Sequence, residues 1–398
     1  MALAALAGPA LGAPDEDVLG RAQGYPIGRP SNWYYDEHVR VGSFSHLDDI
    51  LPHDTLDRPA ASLPLPNAAQ MPRIEYRFEG QTLTIDDFLA RERITGLLLI
   101  RDGEVLVERY QYDRKPSDRF VSHSMAKSIV SLAIGIALAE ERIGSLDDTV
   151  AKYVPRLKGC PYGETTIRNI LRMSSGVPFS EVYDGKDDLS RFNKTRYRKD
   201  SVVALCQFDT REVEQGTRFH YASSEPVSLV LLLREVTGQP LSDYLASRLW
   251  QPMGAEADAT WAKAPDGTVS GSGNFNATLR DYGRLGMLLA NDGMAGGKQI
   301  VPKDYLLDAT EWHRQPHAFA PRQATPYFGY GYLFWLFPGE KRRFALLGVY
   351  GQAIFVDPEL KLVLVMTAAA KTANVGQLPL GRERDALWRG VVRVYGSW

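Results

Sequence analysis

The residues whose types and spacing point most directly to chemistry are Ser124 and Lys127, in the stretch Ser122-His-Ser-Met-Ala-Lys-Ser. Residues 125 to 138 are apolar on nearly every face apart from the lysine and small serines, so the segment reads as a helix buried at the heart of the protein. A spacing of three places the hydroxyl and the amine on one face at the start of that helix. A serine hydroxyl is a weak nucleophile until a neighbour takes its proton, and burial lowers a lysine's pKa towards the working range. The first helical turn also offers backbone N–H groups and a positive dipole end to a developing oxyanion. Ser-x-x-Lys by itself equally describes a capping serine followed by a surface lysine. Two facts favour the chemical reading: Ser124 is the only serine of the chain with a lysine three places on, and its helix is too apolar for a surface helix.

A second element is Gly216-Thr-Arg-Phe-His-Tyr221-Ala-Ser223, just before the apolar run EPVSLVLLLREVTG. A tyrosine at a loop-to-helix junction can bring its phenol to a neighbouring serine, and a nearby lysine favours the phenolate. Taken alone, Tyr221 reads as a core aromatic.

The elements that must position these residues follow from pattern. ITGLLLIRDGEVLVERYQY, from Ile94, is two apolar runs around Asp102-Gly103, a hairpin signal. Near the other end TPYFGYGYLFWLFP, RRFALLGVYGQAIFVDP and LKLVLVMTAAA are strand-like, and 380 to 395 reads as a helix. Helical segments lie between them: SVVALCQF, EPVSLVLLLREVTG and TLRDYGRLGMLLAND, with helix-stopping glycines at 238 and 293. The expected fold is mixed α/β: an antiparallel sheet flanked by helices, built from both chain ends, with a mostly helical region inserted. The expected divisions are a residual signal segment at 1–13, an irregular extension at 14–72, an α/β domain at 73–155 and 322–398, and a helical domain at 156–321. The opening MALAALAGPALGAPDED resembles the second half of a secretory signal without its basic start, which favours a periplasmic or secreted protein over a cytoplasmic one.

Composition narrows the function classes. The 398 residues carry 46 Lys plus Arg against 48 Asp plus Glu, a formal charge of −2 that lacks the basic excess of a nucleic-acid-binding surface. No uncharged apolar run reaches the length of a membrane span. Cys160 and Cys206 leave room for one bridge and exclude a disulfide framework or a thiolate metal site. His46, Asp48, Asp49, His53 and Asp54 could ligate a metal, but on a polar loop such side chains are more often solvated. His313 and His317 lack the glutamate of a zinc helix and have Pro316 between them. No Gly-x-Ser-x-Gly occurs. Arg191, Lys194, Arg196, Arg198 and Lys199 read as a solvated polar loop rather than an anion trap.

From Ile94 to Val392 the chain resembles the penicillin-recognising serine hydrolases: class C β-lactamases, D-alanyl-D-alanine peptidases, family VIII carboxylesterases and 6-aminohexanoate-dimer hydrolases. The resemblance is carried by SMAK, TTIRNILRMSSGV, GTRFHYAS, REVTGQPLSDYLASRLWQPMGAE, GNFNATLRDYGRLGMLLANDG and GVYGQAIFVDPEL, in the family's order. It implies that Ser124 is acylated, that Lys127 and Tyr221 share proton transfer, and that the N–H groups of Ser124 and Val349 form the oxyanion hole. It implies neither cofactor nor metal, a small ester or amide substrate, and a monomer or homodimer. Where β-lactamases and peptidases carry Lys/His-x-Gly, this chain has Leu346-Leu347-Gly348. Lys371-Thr372-Ala373 follows the last strand, lacks the glycine, and reads as surface. Gly348-Val-Tyr-Gly-Gln352 is similar to the 6-aminohexanoate-dimer hydrolase version, and Trp335, Tyr183, Ser223 and Gly348 fall where pocket residues are expected. A carboxylesterase or amide hydrolase therefore ranks above a β-lactamase or D-alanyl-D-alanine peptidase. A receptor-like protein that is acylated without turnover, or an inactive binding module, is the reading of another class.

The missing cation at Leu346 sets an expectation. Short-chain esters are cleaved readily and a chromogenic cephalosporin slowly or not at all, because no charged group there holds the cephalosporin carboxylate. Steady-state rates on the two substrates check it, and comparable efficiency would overturn the ranking.

Overall fold

The computed structural model describes residues 12–398. The segment read as a residual signal falls largely outside them.

The hairpin expected around Asp102-Gly103 is present as β1 (Ile94–Arg101) and β2 (Glu104–Tyr110). Five further strands from the other end of the chain complete its sheet: β3 (Gly329–Tyr330), β4 (Trp335–Leu336), β5 (Phe344–Leu347), β6 (Ala353–Asp357) and β7 (Leu362–Ala368). The order is β3-β4-β5-β6-β7-β1-β2, antiparallel throughout, with Leu99 opposite Leu364 where the two ends meet. β1, β6 and β7 are apolar at nearly every position because both faces of the sheet are covered, a condition that removes the usual inside-outside alternation. Leu98 and Ile100 point into one cluster, with the helices of the chain's middle. Leu97 and Leu99 point into another, with the C-terminal helix.

Four helices frame the site: α1 (Ala126–Ala139), α2 (Glu225–Thr237), α3 (Leu279–Ala290) and α4 (Pro379–Tyr395). α1 is buried from Ala126 to Ala137 and packs against α2. α2 ends as its sequence requires, at Gly238 with φ of 69°, a left-handed conformation that costs glycine little. α3 packs across β1, β6 and β7, and α4 covers the opposite face through Trp388, whose ring lies 5.6 Å from that of Phe355.

Three expectations need correction. The basic cluster at 191–199 is not a loop: Asp188–Arg198 is a helix, capped by Asp187, which accepts from the Ser190 N–H. Only Phe192 and Arg196 are buried on it, so no apolar periodicity announced it; Arg196 donates inward to the Thr268 and Val269 carbonyls. The region 14–72 is not wholly irregular. Its strand His53–Leu56 pairs with Ala259–Ala262 in a second, four-stranded sheet that continues through Phe275–Ala277 to Phe120–Val121. Lys371 and Thr372 are exposed as expected, whereas Ala373 is buried and its carbonyl accepts from the Tyr350 N–H.

Cys160 and Cys206 are joined in a disulfide that closes a loop with a sequence separation of 46. A loop of that length is expected to contribute about 3–4 kcal/mol by restricting the unfolded chain. The double substitution Cys160→Ser/Cys206→Ser is therefore expected to lower the urea midpoint and to steepen the slope, because the unfolded chain freed of the bridge exposes more surface. An unchanged midpoint would mean that the bridge adds nothing to stability.

Candidate active site

Phe120–Val121 leads straight into the turn that carries Ser124. The small sheet fixes this entry: the Ser122 N–H donates to the Phe275 carbonyl at 2.7 Å, and the Ser122 hydroxyl accepts from the Phe275 N–H at 3.2 Å. His123 bends the chain into a left-handed conformation, φ 42°. A non-glycine residue holds such a conformation only where its surroundings enforce it. Here an aromatic cage does so: Phe44 at 4.6 Å, Tyr34 and Tyr350 each at 5.7 Å, and Trp33 stacked at 6.3 Å. Burial, with help from the Arg40 and Lys127 charges, pushes the His123 pKa down to about 3, so the imidazole is neutral and serves as a packed aromatic.

Lys127 follows one turn later and is 1% exposed. Its Nζ lies 2.9 Å from Ser124 Oγ and donates to the Ser272 carbonyl at 2.8 Å. Burial lowers its pKa to about 8, although the Glu181 charge opposes the shift. A displacement of this size from 10.5 favours the neutral amine by about 3 kcal/mol relative to water. The Tyr221 ring lies 4.8 Å below the same nitrogen and stacks on Trp335 at 5.5 Å. Burial raises the phenol's pKa, and contact with the Ser124 hydroxyl lowers it. Serine, amine and phenol thus meet at one point.

Gly348 follows β5 and presses against the turn that carries Ser124. A methyl group there would come within 2.5 Å of the Ser122 carbonyl oxygen, so only glycine permits the approach. This contact brings Val349 beside Ser124. Leu346 is fully buried in the core, and Leu347 is the β5 side chain that reaches a cavity.

Ser124 opens onto two chambers, and Tyr183 and Val349 border both. The first, about 370 Å³, is lined by Trp33, Tyr34, Glu181, Asp187, Ser223 and Asn274 among others. The second, about 820 Å³, is lined chiefly by apolar groups, including Trp335, Phe328 and Leu347. Tyr183 and Ser223 do not act independently: Glu181 Oε1 accepts from both hydroxyls at 2.7 Å, and Oε2 accepts from the Ser223 N–H at 2.9 Å. All the site residues expected from sequence therefore border this space or belong to the triad.

Sequence reasoning missed Glu181, the Ser272 carbonyl and the aromatic wall at Trp33 and Tyr34. The only signal for that wall was the density of aromatics in 22–72. Four of the five candidate metal ligands are otherwise engaged, and Asp49 is exposed: Asp48 pairs with Arg119, Asp54 with Lys263, and the His46 and His53 rings lie against the Gly42 and Leu51 carbonyls. Among the described residues no group of His, Cys, Asp and Glu side chains is placed to hold a metal ion.

The β-lactamase family model matches residues 83–385. The chain belongs to the β-lactamase family. A relative from Paenarthrobacter ureafaciens, named 6-aminohexanoate-dimer hydrolase, is 27% identical over 365 residues, spanning 87% of this chain and 89% of its own. Among solved structures, a Bacillus anthracis protein provisionally named as a 6-aminohexanoate-dimer hydrolase superposes with a TM-score of 0.79 at 21% identity, covering 92% of this chain and 97% of that one. A family VIII carboxylesterase superposes with a TM-score of 0.59 at 18% identity, covering 75% and 93% respectively. The expected fold and the reading of a β-lactamase-like serine hydrolase both stand with these findings.

The Lys127 amine is expected to titrate near pH 8, well below an ordinary lysine. Carbon-13 NMR of lysine labelled at Cε, assigned by Lys127→Arg, measures it directly. A midpoint near 10.5 would remove the amine from any role as a resting base.

Proposed function

We propose that the protein hydrolyses a small ester or amide through an acyl-enzyme on Ser124. The observation that carries this reading is a buried lysine amine 2.9 Å from a serine hydroxyl at the junction of two chambers. The neutral Lys127 amine accepts the Ser124 proton as Oγ attacks the substrate carbonyl carbon. The resulting oxyanion is received by the N–H groups of Ser124 and Val349, the second brought near by the Gly348 contact. Collapse expels the alcohol or amine, and Tyr221, in reach of both Lys127 and Ser124, delivers the proton the leaving group needs. The Lys127 ammonium passes its proton to the Tyr221 phenolate; in deacylation water attacks the acyl carbon as this pair takes its proton, and the pair returns a proton to Ser124 Oγ as the acyl–oxygen bond breaks and the acid departs.

Tyr183, Ser223, Trp335 and Gly348 shape the substrate space. Glu181 makes Tyr183 and Ser223 a single hydrogen-bonded unit, so they orient substrate together. The relative named 6-aminohexanoate-dimer hydrolase supports linear amides among the substrates, and the carboxylesterase likeness keeps esters beside them. Export from the cytoplasm is supported by the Cys160–Cys206 bridge, since such bonds persist in oxidising compartments.

Ser124→Ala is expected to abolish both turnover and labelling by a fluorophosphonate. Lys127→Ala and Tyr221→Phe should each slow acylation by about 10²–10⁴-fold. Their double variant should lose less than the product, because members of one proton relay are not additive. In the wild type kcat/KM should rise with pH as the lysine loses its proton and level off above about 8. Intact-protein mass spectrometry with stopped-flow ester hydrolysis checks all of these; a label on another serine would overturn the assignment.

A further inference from the structure

Two irregular segments, 172–187 and 207–224, meet beside the site, and each connects helices without forming a regular element of its own. The first carries Glu181 and Tyr183, the second Tyr221 and Ser223. With no strand ladder or helix to set their spacing, the bonds between them must fix where Tyr221 stands relative to Lys127 and Ser124. The His220 N–H donates to the Met173 carbonyl, and the Gly216 N–H to the Ser174 carbonyl, each at 2.8 Å. Glu181 takes the hydroxyl and N–H of Ser223. The remaining bond is made by Glu225, the first residue of α2, whose Oε1 accepts from the Ser175 hydroxyl at 2.6 Å.

Glu225 is 1% exposed and Ser175 is fully buried. Arg211, whose charge acts on the carboxyl, directs its own donors to the Ser175 and Pro161 carbonyls and the Thr165 hydroxyl. Glu225 Oε2 has no hydrogen-bond partner among the described residues. A packed apolar side chain would avoid the cost of burying this group, but it could not hold Ser175. Burial raises the carboxyl's pKa to about 8, against the Ser175 hydrogen bonds and the Arg211 charge that lower it, so at pH 7 the group is mainly the neutral acid. Glutamine would match it there in charge and shape.

The turn that Glu225 grips is also held by the second segment: the Glu212 N–H donates to the Gly176 carbonyl at 2.9 Å, and Arg211 to that of Ser175. Tyr221 lies four residues before Glu225. Stacking on Trp335 sets the plane of the Tyr221 ring, yet an offset stack resists sliding within that plane only weakly. The backbone from 221 to 225 therefore decides where the phenol oxygen lies.

We propose that Glu225 is a positioning residue for Tyr221: by holding Ser175 it locks the Tyr221 segment to the Glu181 segment and keeps the phenol in register with Lys127 and Ser124. The proposal rests on Tyr221 being the proton donor to the leaving group.

A double-substitution cycle tests it. Ethyl butyrate is the probe, because its alkoxide needs a proton to leave; rates are divided by the fraction of Ser124 that a fluorophosphonate labels at completion, so that unfolded protein does not count. Glu225→Ala is expected to lower kcat/KM by about 10- to 100-fold, the range for a misplacement of about 1 Å. In a Tyr221→Phe background the same change should cost about 3-fold or less, since no phenol remains to be misplaced. Glu225→Gln should stay within about 3-fold of the wild type, because its amide oxygen still accepts from the Ser175 hydroxyl. Equal losses from Glu225→Ala in both backgrounds, or a loss in Glu225→Gln as large as in Glu225→Ala, would overturn the proposal. Ser175→Ala cuts the same bond from the other side and serves if Glu225→Ala does not fold; a wild-type rate in it would overturn the proposal too.

The two possible failures are distinguishable. A Tyr221→Phe enzyme as fast as the wild type would remove the proton-donor reading and the proposal with it, whereas a slow Tyr221→Phe enzyme with additive losses would remove the role of Glu225 alone. Carbon-13 NMR of tyrosine labelled at Cζ reads the phenol without turnover. The Tyr221 resonance, assigned by Tyr221→Phe, should shift in Glu225→Ala and Ser175→Ala and hold its place in Glu225→Gln. A resonance unmoved in all three would overturn the proposal even if no ester is hydrolysed.

Discussion

A lysine amine taken out of water is the constraint around which the rest of this structure is arranged. Desolvation lowers the amine's basicity until it titrates near pH 8, and the apolar helix that carries it supplies that desolvation. The interior then has to satisfy the amine's hydrogen bonds, through Ser124 Oγ and the Ser272 carbonyl. Ser272 lies just before the strand Phe275–Ala277, which pairs with the strand leading into Ser124, so one small sheet sets both partners of the lysine. Tyr221 is held from the other direction by Trp335.

The two chambers differ in a way that follows from who lines them. Glu181 and Asp187 make the smaller one acidic, and the aromatic segment around Trp33 and Tyr34 closes it. The larger is apolar with arginines from α4 along one wall. A substrate lying across Ser124 therefore meets opposite electrostatic environments on its two sides, and charge favours one orientation over its reverse. The His123 cage ties the smaller chamber's aromatic wall to the Ser124 turn, so loss of that wall would also release the bend that presents Ser124.

What the sequence disclosed depended on distance along the chain. Ser124 and Lys127 were legible because helix geometry fixes their relation within one turn, and α1, α2 and α4 were legible from their apolar runs. The large sheet was legible in its long strands. The second sheet was not, since strands of two to four residues, such as Phe120–Val121 and His53–Leu56, carry too little pattern to register. The helix at Asp188–Arg198 was hidden because it buries only two residues. Tyr183, Ser223 and Trp335 came through family resemblance, while the carboxylate that organises the first two did not. Glu225 reads from sequence as one more charge at the start of a helix; its burial against Ser175 is a property of the assembled interior alone.

The pairing of β1 with β7 also sets an order of events during synthesis. β1, with the Ser124 turn soon after it, leaves the ribosome early, but its neighbour in the sheet comes from Leu362–Ala368, close to the end of the chain. Such a distant pairing is slow to form, because the loop it closes must be ordered before any contact repays the entropy. Gly348 and Val349 arrive just as late. A nascent chain thus carries its serine and lysine without the sheet that supports them or the Gly348 contact, and the site is assembled only when translation is nearly complete.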